Sequence, residues 1–310
     1  MKNNIDAILL IGYGGPEKPE DIRPFLQNVA RGRPIPAERL EEVAHHYELI
    51  GGKSPINEYT YRQAKALEDK LAEKGNRIPV YVGMRHWHPL IPDAVKKMYD
   101  DGTRKALGVI MAAHQSEVSW ERYQNDVKQG LAEKGIDIEF EYTPPLFDHP
   151  LFIEDSADRI AERFEEIPPG EREDTMILFS AHSIPTPMAE SSPYVEQLMT
   201  TARLIAERLN HTKWRLVYQS RSGRPQDPWL EPDICDVTGE IAKEGVRYVI
   251  VQPIGFLCDH VEVLFDIGIE AMEAAEEAGI KLLRAKTVND DPKFIAAMAD
   301  LVEKTMNGSE

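Results

Sequence analysis

Eight short runs of apolar and β-branched residues recur along this chain, each separated from the next by longer amphipathic stretches. The runs lie at 7–11, 79–83, 107–111, 138–142, 176–180, 214–219, 248–252 and 280–284. Between them, helical periodicity runs over 19–29, 36–50, 57–74, 91–101, 120–134, 151–166, 193–209, 234–243, 260–278 and 292–306. Strands separated by helices mean βαβ units and mainly parallel sheets. The order divides into two similar halves of four strands, with a proline-rich break at 144–150. The pattern predicts an α/β protein of two Rossmann-like domains, each a four-stranded, mainly parallel sheet flanked by helices, facing a cleft. Residues 1–145 form the N-terminal domain and 146–310 the C-terminal domain, with the last helix a candidate to pack back on the first. A chain of 310 residues is long enough for two such cores.

Charge narrows the function. The formal net charge is −17. A field of that sign disfavours nucleic acid and anionic lipid and attracts metal dications. An anionic substrate would need a local basic pocket. The two cysteines, Cys235 and Cys258, stand far apart and in no metal-ligand spacing, so no disulfide framework and no iron–sulfur cluster is expected. The amino terminus has no signal-peptide apolar region, and no apolar run approaches the ~20 residues of a transmembrane segment. A cytoplasmic, soluble protein is expected, and a monomer.

The most informative stretch is QPIGFLCDHVEVLFD at 252–266. A β-branched run ends at Pro253 and Gly255, and a helix pattern starts near Asp259. Asp259 followed by Glu262 reads as an N-cap with a capping box. In a regular helix Glu262, Asp266 and Glu270 would share one edge. Three like charges on one stripe repel each other and are relieved by a visiting cation. Loops leaving the carboxyl ends of strands are where α/β proteins keep their chemistry.

His182 sits in a comparable place, at the end of the strand in MILFSAHSIP, 176–185. A histidine there can bind metal or take a proton, or simply hydrogen-bond a loop carbonyl. The first strand runs into Gly12, Tyr13, Gly14, Gly15 and Pro16. Pro16 interrupts a dinucleotide fingerprint, and no acidic partner follows at ribose distance. Those glycines could let a flat ligand approach the backbone beside Tyr13, or Tyr13 could be packed in a tight turn. His86, Trp87 and His88 follow the second strand and His114 follows the third, each a ligand or a structural support. The basic, glycine-rich pieces RGR at 31–33 and GGKS at 51–54 are candidate carboxylate or phosphate contacts. Arg221, Arg224 and Trp229 lie in a strand-end loop with either a binding or a packing role. No GxSxG, HExxH or Walker motif is present.

SAHSIP at 180–185, YQS at 218–220, DPWL at 227–230 and the 252–266 segment together resemble the ferrochelatases. The resemblance runs in order from Leu10 to the end of the chain. It implies a two-domain fold with a porphyrin cleft. It also implies insertion of Fe(II) into a porphyrin with release of two protons, the closing chemistry of haem synthesis. Porphyrin and ferrous iron are then the substrates, with no tightly bound cofactor. By likeness, His182 and Glu262 are the catalytic histidine and its partner carboxylate and bind metal. Asp266 and Glu270 continue an acidic line for metal or protons.

Within the family, Tyr13, RGR at 31–33 and YELIGGKSP at 47–55 resemble the coproporphyrin III ferrochelatases of bacteria. That likeness implies that Tyr13 is catalytic, on the porphyrin face opposite His182. It also implies that Tyr13, Arg31, His46, Tyr47, Ser54 and Tyr123 are porphyrin contacts. The group often carries arginine where this chain has Ala30 and His46; Arg33, Lys53 and Arg85 are the cations that could stand in. A protoporphyrin IX ferrochelatase, a cobalt or nickel chelatase acting on a reduced tetrapyrrole, and a haem carrier without insertion activity are the alternatives. The expected mechanism bends the macrocycle so that its pyrrole nitrogens face outward, with His182 and Glu262 receiving iron or protons.

Overall fold

A computed structural model describes residues 5–308 apart from 33, 34, 223 and 225. Arg33, a candidate stand-in cation, therefore lies outside the described residues. The chain forms two compact units. The first takes the chain up to Ala112, then Glu117–Pro145, then everything from Asp290 onward. The second takes Ala113–Ser116 and Leu146–Asn289.

The first unit holds β1 (Ala7–Gly12), β2 (Val80–Met84), β3 (Lys105–Ile110) and β4 (Glu139–Tyr142). They form one parallel sheet in the order β2-β1-β3-β4. The second unit repeats the plan with β5 (Met176–His182), β6 (Trp214–Gln219), β7 (Tyr248–Gln252) and β8 (Lys281–Arg284) in the order β6-β5-β7-β8, again parallel throughout. The expected pair of four-stranded parallel sheets is present. Every residue of β1 is buried, as is β5 up to Ala181. Such unbroken apolar strands belong to sheets covered by helices on both faces. The outer strand β2 is half-exposed over its first three residues.

In each unit the chain moves from the first strand to one side, then returns to the other side for the third. The order reverses between β1 and β3, and again between β5 and β7. A crevice opens at such switch points, outside the carboxyl ends of the strands. His182 ends β5, and Glu262 opens the helical segment after β7.

The last helix, Pro292–Asn307, belongs to the first unit and packs against the helix Ile56–Glu73. Glu303 ties it down, accepting from Lys74 at 2.6 Å and Asn76 at 3.1 Å. Asp291 caps its start by accepting from the Lys293 N–H at 2.9 Å.

Candidate active site

In the second unit, His182 is the last residue of β5, in register with Gln219 at the end of β6. The Tyr194 hydroxyl donates to the His182 carbonyl at 3.0 Å and holds the strand end. Motifs distant in sequence meet beside it. Leu230 N–H donates to Ile184 C=O, and Thr186 N–H to Pro228 C=O, both at 3.0 Å. The Ser183 hydroxyl donates to Leu230 C=O at 2.8 Å. The 227–230 segment is thus an antiparallel brace for the chain just after His182, with Trp229 opposite Pro185. Arg221 turns inward on its own loop, donating to Asp227 C=O at 2.9 Å.

The loop after β7 crosses directly over the end of β5. Gly255 N–H donates to Ser180 C=O at 3.1 Å. A Cβ on Gly255 would lie 2.8 Å from both Cα and Cβ of Ala181. Only glycine permits that approach, and the approach carries the following helix to His182. The result is His182 Nδ1 standing 3.6 Å from Glu262 Oε2, with the two side chains 32% and 36% exposed. His182 Nδ1 is itself buried and has no hydrogen-bond partner among the described residues. A buried ring nitrogen facing a carboxylate beyond hydrogen-bond reach is an unmet polar group that a proton or a cation would satisfy.

Two expectations about this helix are overturned. It is not a regular α-helix: Glu262–Ala271 is π-helical, continuing as α-helix over Met272–Glu277. Bonding from i to i+5 widens the turn, so residues four apart fall just short of one full turn rather than just past it. Glu262, Asp266 and Glu270 still follow one edge. Nor does Asp259 cap the helix. Its carboxylate accepts from the Thr287 hydroxyl at 3.0 Å, from Thr287 N–H at 3.3 Å and from Arg284 at 3.2 Å. Its own N–H goes to Asn289 Oδ1 at 2.9 Å. Tertiary partners around the end of β8 outbid the local cap. The N–H of Glu262 is taken instead by His260 Nδ1 at 3.2 Å. Burial pushes the His260 pKa down, keeping the ring neutral and able to accept.

The acidic line is graded. Glu262 is half-exposed, Asp266 buried and Glu270 exposed. Burial pushes the Asp266 pKa up to about 8, and the neighbouring Glu262 charge adds to the rise. Asp266 therefore holds its proton near neutrality. Two residues at the end of β6 reach this line: the Ser220 hydroxyl bonds Asp266 Oδ2, and the Gln219 amide donates to Glu262 C=O. Neither was picked out from the sequence as a site residue, although both lie in the YQS motif. Among the described residues no three His, Cys, Asp or Glu side chains converge into one metal-holding group. The four expected ligands are a pair, His182 and Glu262, followed by two further carboxylates along the helix.

The first unit's strand ends are built differently. Tyr13 is 41% exposed, its ring 4.6 Å from that of His86 and 6.3 Å from that of Phe25. Phe25 also meets Tyr47 and Trp87, at 5.9 and 6.2 Å. The glycines after Tyr13 allow close packing within the protein. A Cβ on Gly15 would meet Ile56 at 2.7 Å and Ser54 at 2.9 Å, and one on Gly14 would meet Trp87 at 3.0 Å. Asn57, not anticipated, clamps this loop: its side chain accepts from Gly15 N–H at 2.9 Å and donates to Gly15 C=O at 3.0 Å.

Of the other expected porphyrin contacts, Arg31 is exposed, His46 half-buried, and Tyr47, Ser54 and Tyr123 buried. Burial lowers the His46 pKa, and nearby Arg39 lowers it further, so this ring is a weak cation. Arg85 is engaged, 3.1 Å from Asp126 and with its guanidinium over the Tyr123 ring. Lys53 is exposed. His114 is buried in the second unit, its Nε2 2.9 Å from the Thr201 hydroxyl, and burial drives its pKa to about 3. That is a core histidine, not a ligand.

Residues 5–306 match the ferrochelatase family. A coproporphyrin III ferrochelatase of Mycolicibacterium smegmatis is 43% identical over 98% of this chain and 91% of its own. One of Streptomyces coelicolor is 42% identical over 96% of this chain and 84% of its own. A ferrochelatase of Deinococcus radiodurans is 39% identical over 96% of this chain and 95% of its own. Among solved structures, SirB from Bacillus subtilis with Fe3+ superposes with a TM-score of 0.58 at 12% identity, covering 97% of this chain and 95% of that one. At that identity the likeness speaks for the fold alone. On the family match and the near full-length relatives, the chain belongs to the ferrochelatase family.

Proposed function

We propose that this protein inserts ferrous iron into coproporphyrin III, with loss of the two pyrrole protons, to give iron coproporphyrin in haem synthesis. The observation that carries the reading is the His182–Glu262 pair, with Nδ1 and the carboxylate 3.6 Å apart and the nitrogen otherwise unpartnered among the described residues. A neutral imidazole beside a carboxylate can take a pyrrole proton or hold Fe(II), and mixed N and O donors suit that ion. Asp266 and Glu270 extend the carboxylate line, so iron or protons can move along the helix by successive exchange rather than sit in one closed cage. Asp266, protonated near neutrality, yields its proton as a cation approaches.

Toward the porphyrin, Tyr13, Arg31 and His46 are the reachable contacts. Tyr47, Ser54 and Tyr123, the other expected porphyrin contacts, are buried. Tyr13 is the candidate iron ligand in the product. Coproporphyrin III carries more propionates than protoporphyrin IX, and Arg31 and Lys53 supply exposed positive charge in a chain of net charge −17. The relatives named for coproporphyrin III support the same substrate.

The reading takes the protein as a cytoplasmic monomer without an iron–sulfur cluster or other bound cofactor. The chain has two cysteines, Cys235 and Cys258, fewer than the four thiolates that commonly hold a cluster. No described helix is long and apolar enough to cross a membrane. Anaerobic iron insertion with coproporphyrin III and protoporphyrin IX offered side by side tests the proposal. Faster conversion of coproporphyrin III is expected. Preference for protoporphyrin IX overturns the substrate, and binding of both without conversion overturns the activity.

A further inference from the structure

Ser220 adopts φ of +62°, in the left-handed region. Among the described residues the other non-glycine positions with positive φ are Asn210 and Asn289. Asparagine tolerates that region; serine seldom enters it. Asn210 has an ordinary reason, ending the helix Tyr194–Leu209. Ser220 ends no helix. It follows the last residue of β6, where an extended backbone would be the relaxed choice. Backbone strain persists only where surrounding contacts over-determine it, and such positions cluster at working sites.

The contacts here are specific. In an extended strand, consecutive side chains point to opposite faces. Gln219 and Ser220 are consecutive, yet both reach the same π-helical segment: Gln219 bonds the Glu262 carbonyl and Ser220 bonds the Asp266 carboxylate. The left-handed turn at Ser220 is what brings the second side chain to the side of the first. Gln219 is also the register partner of His182. One dipeptide thus ties the histidine's strand to the helix at Glu262 and at Asp266.

The geometry points to Ser220 as a positioning residue for iron transfer: its left-handed backbone aims the hydroxyl that fixes the Asp266 carboxylate beside Glu262, and so sets the path by which iron reaches the His182–Glu262 pair. The inference rests on the chelatase reading above. Ser220 itself does not touch the reacting atoms.

Two variants of the full chain separate positioning from backbone strain. Ser220→Gly removes the hydroxyl and relaxes the backbone; Ser220→Ala removes the hydroxyl and keeps the strain. Both are expected to lose about tenfold in kcat/KM for Fe(II), the effect of one lost hydrogen bond. Coproporphyrin KM should stay within about twofold, because the porphyrin contacts are untouched. The melting temperature should hold or rise in Ser220→Gly and fall in Ser220→Ala. Wild-type kcat/KM for Fe(II) in either variant overturns the inference, as does a loss carried equally by the porphyrin KM. Co(II) affinity, read by visible absorption without porphyrin, keeps the two readings apart: it is expected to weaken in both variants even if wild-type turnover proves absent. Absent turnover with weakened Co(II) binding sinks only the chelatase reading. Unchanged Co(II) affinity sinks the positioning role.

Discussion

The two units share one sheet plan and spend it differently. Each has the order second-first-third-fourth, a switch point between its first and third strands, and a π-helical segment after the third. In the first unit that segment is Glu117–Glu121 and passes at once into the α-helix Arg122–Lys134. In the second it runs for 10 residues and carries Glu262, Asp266 and Glu270. The first unit's loop after β1 is held by aromatic contacts and by the Asn57 clamp on Gly15. The second unit's strand ends hold a histidine whose ring nitrogen has no hydrogen-bond partner among the described residues, a carboxylate opposite it and a buried acid that keeps its proton. The scaffold places loops at a switch point. What the loops then present differs: aromatic rings in the first unit, a histidine and carboxylates in the second.

The sharpest way to break this contrast is to delete one group from each side. His182→Ala should lower kcat by at least about a hundredfold, the usual range for a lost acid–base group. Porphyrin binding, read by fluorescence quenching, should survive. Tyr13→Phe should cost well under that; a loss equal to that of His182→Ala would mean that Tyr13 carries as much of the insertion step as His182.

Glycine substitutions come next. Gly255→Ala forces a Cβ to 2.8 Å from Ala181 backbone and side chain, and should destabilise by roughly 3 kcal/mol in denaturant unfolding. Gly15→Ala meets the side chains of Ile56 and Ser54, which can shift, so roughly 1–2 kcal/mol is expected. A reversed order would show that the β7 loop, not the β1 loop, is the one that can yield.

The buried acid gives the second unit a pH signature. Unfolded, Asp266 ionises in the ordinary carboxylate range; folded, it holds its proton up to about 8. Folding therefore takes up a proton between those values. The stability linked to this group is fully present below the unfolded value and is lost as pH rises toward 8. Asp266→Asn should narrow the fall in melting temperature between about pH 5 and about pH 8 relative to wild type. An unchanged fall would mean that Asp266 is ionised in the folded protein. The smallest effect belongs to the porphyrin side. His46→Arg replaces a ring that burial keeps neutral with a permanent cation, and should lower coproporphyrin KM by about three- to tenfold with kcat unchanged. A KM at or above wild type would remove position 46 from the propionate contacts.

Much of this was legible in residues. The eight apolar runs placed every strand to within two residues, because each is a short apolar or β-branched run set off from the amphipathic stretches around it. His182 and Glu262 stood out because each follows a strand within a motif of the family. The Asp259 capping box was misread for a physical reason. Its spacing is right for a cap, but the carboxylate finds Thr287 and Arg284, and a local bond yields to several tertiary ones. The π-helical winding was equally hidden, since the apolar pattern of the segment suits either helix.

Asn57 had no signal to find, since its partner lies 42 residues away, and the family motif that holds Ser220 did not reveal its partner 46 residues on. The chain alone determined the alternation of strands and helices, the acidic residues at four-residue spacing and the histidine at a strand's end. These follow from period and residue type, which are local. Tertiary structure alone decided that Gly255 brings the β7 loop onto β5, that Ser220 turns to reach Asp266, and that Asp266 is buried enough to keep its proton. Those depend on which atoms distant in sequence exclude water from one another, and no local pattern encodes that.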